Sequence, residues 1–388
     1  MKVYFKNLDG IRFFAALFVL LQHAFGFRKG YSPTWPWLDR CFEYTGVLGV
    51  NLFFILSGFL ISYLLFIEKD KTSTVSYKNF YIRRILRIWP LYLGYGLILT
   101  FFSPWVSAKL GLGNDTDGAA MIQNLIFLLF FSVNVQIALL GDNKGIFEIS
   151  WSVCVEEQFY LFWPILINNF RKRLPGLLAV MFVISIISRL FFCIYLPAHN
   201  PVKWPYDQAW DSNYLLIFDK LDLFGGGLII ASLYYNRERY ADRMKRLFHP
   251  GIQVVMLVLA LLYTLSFIRP RDRMVSLFGD HYICIVLYGY TLLAAVMDNS
   301  ILRLETGVLK TLGRISFGLY LFHTAVCQIV LVIFKKFVGR PESHLVYDLF
   351  YPAACLVLTC VVAYCSYEFY EKRFLTLKNK FAIVKTRI

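Results

Sequence analysis

The chain has 388 residues, of which 58% are hydrophobic, 18% aromatic and only 17% charged, with a mean hydropathy of +0.56. About a quarter of a soluble domain is charged, and no soluble interior of this size hides so much apolar side chain, so the composition excludes a soluble globular protein. The net charge of +15 would suit a nucleic-acid binder, but Lys and Arg cluster between apolar runs, as in cytoplasmic loops of membrane proteins, and no nucleic-acid partner is expected.

Apolar stretches fall near residues 11–27, 46–67, 88–106, 121–140, 149–168, 175–196, 214–235, 252–268, 281–297, 312–334 and 347–370. Many approach the ~20 residues that cross a hydrocarbon core. If 121–140 and 149–168 both crossed, the Arg171–Lys172–Arg173 cluster and the basic tail would face outward. Treating the two as one net crossing puts 26 Lys and Arg inside and 11 outside, with both termini cytoplasmic. The expected fold is therefore an all-α, polytopic transmembrane bundle of about ten crossings, with one further re-entrant or interfacial segment. Residues 1–375 form its transmembrane domain and 376–388 a basic cytoplasmic tail. The first apolar run is long, holds a histidine and lacks a small-residue cleavage site, unlike a signal peptide. Of eight cysteines only Cys41 sits in a polar loop, so neither a disulfide framework nor a metal site is expected.

The first run reads DGIRFFAALFVLLQHAFG, Asp9 to Gly26. Arg12 and His23 are eleven positions apart, three helical turns plus about 20°, so they share a face with a rise of roughly 16 Å. Such a histidine is either a packing residue above a snorkelling arginine or a general base, since intramembrane ionisable groups are costly and usually functional. GVNLFFILSGFLISYLLF (Gly49–Phe66) supplies small residues for helix packing. In NFYIRRILRIWPLY, Arg83, Arg84 and Arg87 form either a positive-inside anchor or a phosphate clamp. In EISWSVCVEEQFYLFWP, Glu156 and Glu157 point about 100° apart, so they are no carboxylate dyad and one of them is expected to face a cavity. Asp219, Lys220, Asp222 and Gly225–Gly227 form DKLDLFGGG, which lacks the strand and spacing of a phosphate-binding glycine loop. RISFGLYLFHTAV carries His323, read as a core hydrogen-bonder ranking second to His23.

In this order LDGIRFFAALFVLLQH, GVNLFFILSGFLI, FYIRRILRIWP, WSVCVEEQFYLFWP, KLDLFGGG, ISFGLYLFH and YEFYEKRF resemble the acyltransferase 3 family of bacterial integral-membrane acyltransferases. The Arg-x10-His spacing is the most specific point of likeness. Lys220 and Val153 stand where the family often has Arg and Leu. The chain looks like the standalone form, without a periplasmic hydrolase-like domain. The resemblance implies transfer of an acyl group, most often acetyl, from cytoplasmic acyl-CoA to a hydroxyl of a surface glycan or its lipid-linked precursor, in the bacterial cytoplasmic (inner) membrane. The donor acetyl-CoA is then a substrate, with no bound cofactor. The resemblance makes His23 catalytic, as general base or acyl carrier, and puts Arg12 in the donor site.

From the residues themselves, Glu156 is expected to orient the imidazole, and Arg83, Arg84 and Arg87 to meet the CoA phosphates. The acceptor is expected near the 197–213 loop, with Trp204, Tyr206, Asp207, Trp210 and Asp211. Trp210, Asp222 and His323 are the expected acceptor contacts. The competing classes are a glycan or lipid transporter or flippase, and the same fold transferring succinyl or a longer acyl group.

Overall fold

A computed structural model describes residues 2–30, 35–110, 118–140, 147–200, 206–339, 343–381 and 385–386. In chain order the helices are α1 (Leu8–Phe27), α2 (Pro36–Phe42), α3 (Thr45–Thr72), α4 (Tyr77–Leu110), α5 (Gly118–Leu129), α6 (Val133–Leu140), α7 (Trp151–Phe170), α8 (Leu174–Leu190), α9 (Leu196–His199), α10 (Tyr206–Leu215), α11 (Ile217–Tyr235), α12 (Ala241–Leu247), α13 (Pro250–Thr264), α14 (Arg273–Val296), α15 (Gly307–Arg314), α16 (Ser316–Phe337), α17 (Tyr351–Ser366) and α18 (Lys372–Lys378). A two-residue parallel bridge pairs Lys2–Val3 with Lys385–Thr386.

Among the described residues seven helical runs are long and apolar enough to cross a membrane, and an eighth arises if α12 and α13, bent by 59°, form one span. One of the seven, Glu148–His199, has 52 residues, more than twice what a crossing needs, with a 3-10 turn at Arg171–Arg173 near its middle. Helix α11 falls outside the seven; it carries Asp219, Lys220 and Asp222. The fold is a polytopic helical membrane bundle. Apolar side chains lie exposed along α8 (Val180, Val183, Ile187), α13 (Val254, Val255, Val258) and α17 (Val357, Leu358, Val361), as a lipid-facing surface requires.

Of the two segments in question, 149–168 lies on the continuous 20-residue α7 apart from its first two residues, which belong to a 3-10 turn. Segment 121–140 breaks into α5 and α6, of 12 and 8 residues, too short to cross singly. The break is at Phe131, held at φ 50, a left-handed conformation that a bulky residue adopts only under outside constraint. Tyr92 stacks on its ring at 4.3 Å, and Gln158 Nε2 donates to its carbonyl at 3.1 Å.

The chain divides into two compact units. The first comprises residues 1–60, 226–372 and 385–388. In it α1 packs against α14, α15, α16 and α17, and α16 against α17. Lipid gives no hydrophobic drive for helix association, so close approach and polar ties must supply the cohesion. Asn7, at φ 63 before α1, donates to the Ala295 carbonyl at 3.0 Å and accepts from Leu304 N at 2.8 Å. A Cβ on Gly313 would sit 2.1 Å from the Asp9 carbonyl oxygen, and one on Gly227 would sit 2.3 Å from that of Ile55. Only glycine permits either backbone contact.

The second unit comprises residues 61–225 and 373–384. Phe159 of α7 stacks on Phe224 of α11 at 3.9 Å, and Trp163 Nε1 donates to Ser62 Oγ at 2.9 Å. Arg83 donates to the Phe381 carbonyl at 2.9 Å, so chain beyond residue 375 packs on α4. A buried charge network ties α8 to α11. Arg189 Nε lies 2.7 Å from Asp219 Oδ1, Arg189 Nη2 lies 2.6 Å from Asp222 Oδ2, and Lys220 Nζ lies 2.8 Å from Asp219 Oδ2.

Candidate active site

Within the first unit, α1 carries a polar line on an otherwise apolar rod. Arg12 pairs with Asp9 at 3.0 Å, both partly exposed. Ten residues on, Gln22 Oε1 accepts from the backbone N–H groups of Gly46 and Val47, at 2.6 and 3.2 Å. The first N–H groups of any helix have no partner within it, and here a neighbouring side chain satisfies two of those that open α3. Gln22 thereby fixes α1 against α3, one residue before His23.

His23 Nδ1 lies 2.9 Å from the Val19 carbonyl and 3.3 Å from His323 Nε2. The two rings meet edge to face, with centroids 4.9 Å apart. His323 Nδ1 lies 2.5 Å from the Tyr320 carbonyl. A carbonyl only accepts, so each Nδ1 carries a hydrogen. His323 Nε2 then holds a lone pair directed at the Nδ1–H of His23. The Nε2 of His23 is bonded to no described residue and presents its own lone pair. His23 is partly exposed, whereas His323 is fully buried. One ring is therefore reachable and the other orients it.

Within this unit the His23 ring meets His323. Glu156 lies in the second unit, where it accepts from Tyr160 Oη at 3.1 Å, and the adjacent Glu157 accepts from Trp89 Nε1 at 3.0 Å. Arg83 is spent on Glu68, at 3.3 Å, and on the Phe381 carbonyl. The guanidinium of Arg84 lies over the rings of Phe80 and Tyr160, at 5.8 and 5.4 Å. Arg87 has no ion pair among the described residues. Asp222 is fully buried and bound to Arg189. Trp210 is half-buried on α10, and Trp204 lies outside the described residues.

Three residues here escaped the sequence reading. Gln22 stood out as the one polar residue between Arg12 and His23, but nothing local showed what it binds. Arg189 carried no motif signal, yet its guanidinium pairs with both Asp219 and Asp222 of the DKLDL stretch. Asp348, which pairs with the buried Arg28 at 3.0 Å, gave no sequence signal at all. A cleft of about 290 Å³ opens near the start of α1, with Lys6, Asp298, Arg303 and Glu305 on its walls. Its two cations face two carboxylates, so it is no anion cradle.

The described residues hold no group of three or more His, Cys, Asp or Glu able to bind a metal ion. No solved structure matches the chain significantly. Over 388 residues it is 26% identical to "Putative peptidoglycan O-acetyltransferase YrhL" of Bacillus subtilis, covering 95% of this chain and 54% of that protein. Over 380 residues it is also 26% identical to "O-acetyltransferase OatA" of Staphylococcus aureus, covering 95% of this chain and 57% of that one. The chain thus spans little more than half the length of these relatives. The acyltransferase domain family, Acyl_transf_3, matches residues 5–368, nearly the whole sequence, and the chain belongs to that family.

Proposed function

We propose that the chain is a membrane O-acyltransferase of the bacterial cytoplasmic membrane. It takes an acyl group, most simply acetyl, from acyl-CoA at the cytoplasmic face and gives it to a hydroxyl of a cell-surface glycan or its lipid-linked precursor. The single observation that carries this reading is His23, with one nitrogen occupied by Val19 and His323 and the other bonded to no described residue. The relatives' names, O-acetyltransferase and peptidoglycan O-acetyltransferase, support the acyl group and the class of acceptor.

The chemistry follows from that geometry. His23 Nε2 takes the proton of the acceptor hydroxyl as the oxygen attacks the thioester carbonyl. A C–O bond forms, the C–S bond breaks, and the departing thiolate takes the proton back from Nε2 as CoA thiol. During the step His23 is an imidazolium, and its Nδ1–H strengthens its bond to the His323 lone pair. His323 is a positioning residue and His23 the catalytic one. Arg12, at the other end of the same helix line, belongs to the donor side. Arg87, which has no ion pair among the described residues, is a ligand for a donor phosphate.

The test is acetyl-CoA consumption by the purified chain in nanodiscs, wild type beside His23→Ala, with folding checked by thermal unfolding. Turnover by wild type and none by a folded His23→Ala supports the reading. Equal behaviour makes His23 a packing residue and brings the transporter class forward.

A further inference from the structure

Past His23 the first unit builds a second polar cluster that the transfer chemistry does not use. Arg28 closes α1 five residues beyond His23, about 7.5 Å further along the axis. It is fully buried, and its Nη2 lies 2.9 Å from Asp39 Oδ1 and 3.0 Å from Asp348 Oδ1. Its guanidinium covers the Phe25 ring at 4.6 Å, and Phe25 stacks on Phe42 at 4.4 Å. Burial drags the guanidinium below its ordinary pKa, and Asp39 and Asp348 oppose that pull. The Nε and Nη1 of Arg28 form no hydrogen bond with any described residue, nor does the buried Nδ1 of His344. Three buried nitrogens therefore remain unmatched beside two carboxylates, a costly arrangement for a fold to keep without use.

A ladder of flat rings stands on this base. Trp35 stacks with Trp37, at 6.4 Å and 21°, and with His344, at 5.7 Å and 12°. Its backbone N–H donates to Asp348 Oδ2 at 3.0 Å, which ties the ladder to the Arg28 cluster. Trp37, the outer rung, is 58% exposed. We propose that the Trp35–Trp37–His344 ladder, with Asp39, Asp348 and Arg28, is the subsite that binds an uncharged pyranose ring of the acceptor glycan.

Three features select that ligand. The C–H face of a pyranose is apolar and presents slightly positive hydrogens, which suit the electron-rich face of an indole. Its hydroxyls both donate and accept, matching carboxylate oxygens on one side and unmatched N–H groups on the other. One cation against two carboxylates leaves a net negative charge, which repels phosphate and uronate. The inference rests on the acyltransferase reading for the word acceptor and locates the acceptor in the first unit, with His23, rather than at the 197–213 loop.

The experiment is equilibrium binding of end-labelled chitotetraose, a neutral N-acetylglucosamine tetramer, to the full chain in nanodiscs without acetyl-CoA. Saturable binding is expected, at least tenfold weaker in Trp37→Ala, largely kept in Trp37→Phe, and unchanged in Trp105→Ala, which removes an exposed tryptophan of α4. Because Trp37 is mostly exposed its removal leaves the fold intact, and thermal unfolding verifies this. No saturable binding, undiminished binding by Trp37→Ala, or tighter binding of tetragalacturonate than of chitotetraose overturns the proposal. Binding is read without turnover, so its loss with acetyl-CoA consumption intact sinks the subsite alone. Intact sugar binding without His23-dependent consumption sinks the acyltransferase chemistry alone.

Discussion

His323 Nε2 lies 3.3 Å from His23 Nδ1, while the Nδ1 of His323 is held by the Tyr320 carbonyl. The pair joins residues 300 positions apart, and its hydrogen-bond directions give the partly exposed ring the form of a base. Replacing His23 with Ala is expected to lower kcat by about 10²–10⁴-fold, the usual contribution of a general base. His323→Ala removes orientation only, so a smaller fall is expected, with KM for acetyl-CoA little changed and the pH profile of kcat moved. Steady-state kinetics over pH checks both. An unmoved profile in His323→Ala makes that residue mere packing.

Gln22 contributes stability, not chemistry. Gln22→Leu keeps the bulk and loses the acceptor for Gly46 and Val47 N–H. Leaving those donors unmatched costs about 1–3 kcal/mol. A lower thermal midpoint in Gln22→Leu, with Gln22→Glu close to wild type, is the expected pair of results.

Arg189 is expected to be among the most sensitive positions of the second unit. Removing one partner of a buried pair strands the others, at about 3–5 kcal/mol. Arg189→Ala removes the guanidinium that pairs with both Asp219 and Asp222 and should abolish accumulation of folded protein. Arg189→Lys keeps the charge but loses the fork, so partial recovery is expected, read by size-exclusion profile in detergent.

Gly227 has no room for a methyl group, because its Cβ would strike the backbone of α3 at Ile55 and Phe59. Gly227→Ala should destabilise by at least the ~1–3 kcal/mol of ordinary overpacking, since backbone cannot rotate away as a side chain can. Gly176, where an added Cβ meets nothing within 4 Å, is the control: Gly176→Ala should keep the wild-type midpoint.

Arg83 and Arg87 share a helix face and separate by role. Arg83→Ala loses its ties to Glu68 and Phe381 and should lower the thermal midpoint. Arg87→Ala breaks no ion pair among the described residues. It should raise KM for acetyl-CoA several-fold, less so at high salt, where charge–phosphate attraction is screened. If Arg87→Ala leaves KM unchanged, Arg87 holds no donor phosphate.

Much of this protein was readable from the chain alone, because the bilayer imposes one-dimensional constraints. A crossing needs about twenty apolar residues, cytoplasmic loops collect Lys and Arg, and both leave marks in consecutive residues. Those marks mostly located the helices and flagged 121–140 and 149–168 as an odd pair. The Arg12–His23 alignment was equally legible, since helical period converts spacing directly into a shared face. Tertiary structure decided what pattern could not. It paired His23 with His323, set Gln22 on the start of α3, and joined Arg28 to Asp348 across 320 positions. Such hydrogen bonds are short, directional and indifferent to sequence separation, so no periodicity encodes them and only the packed chain selects each partner.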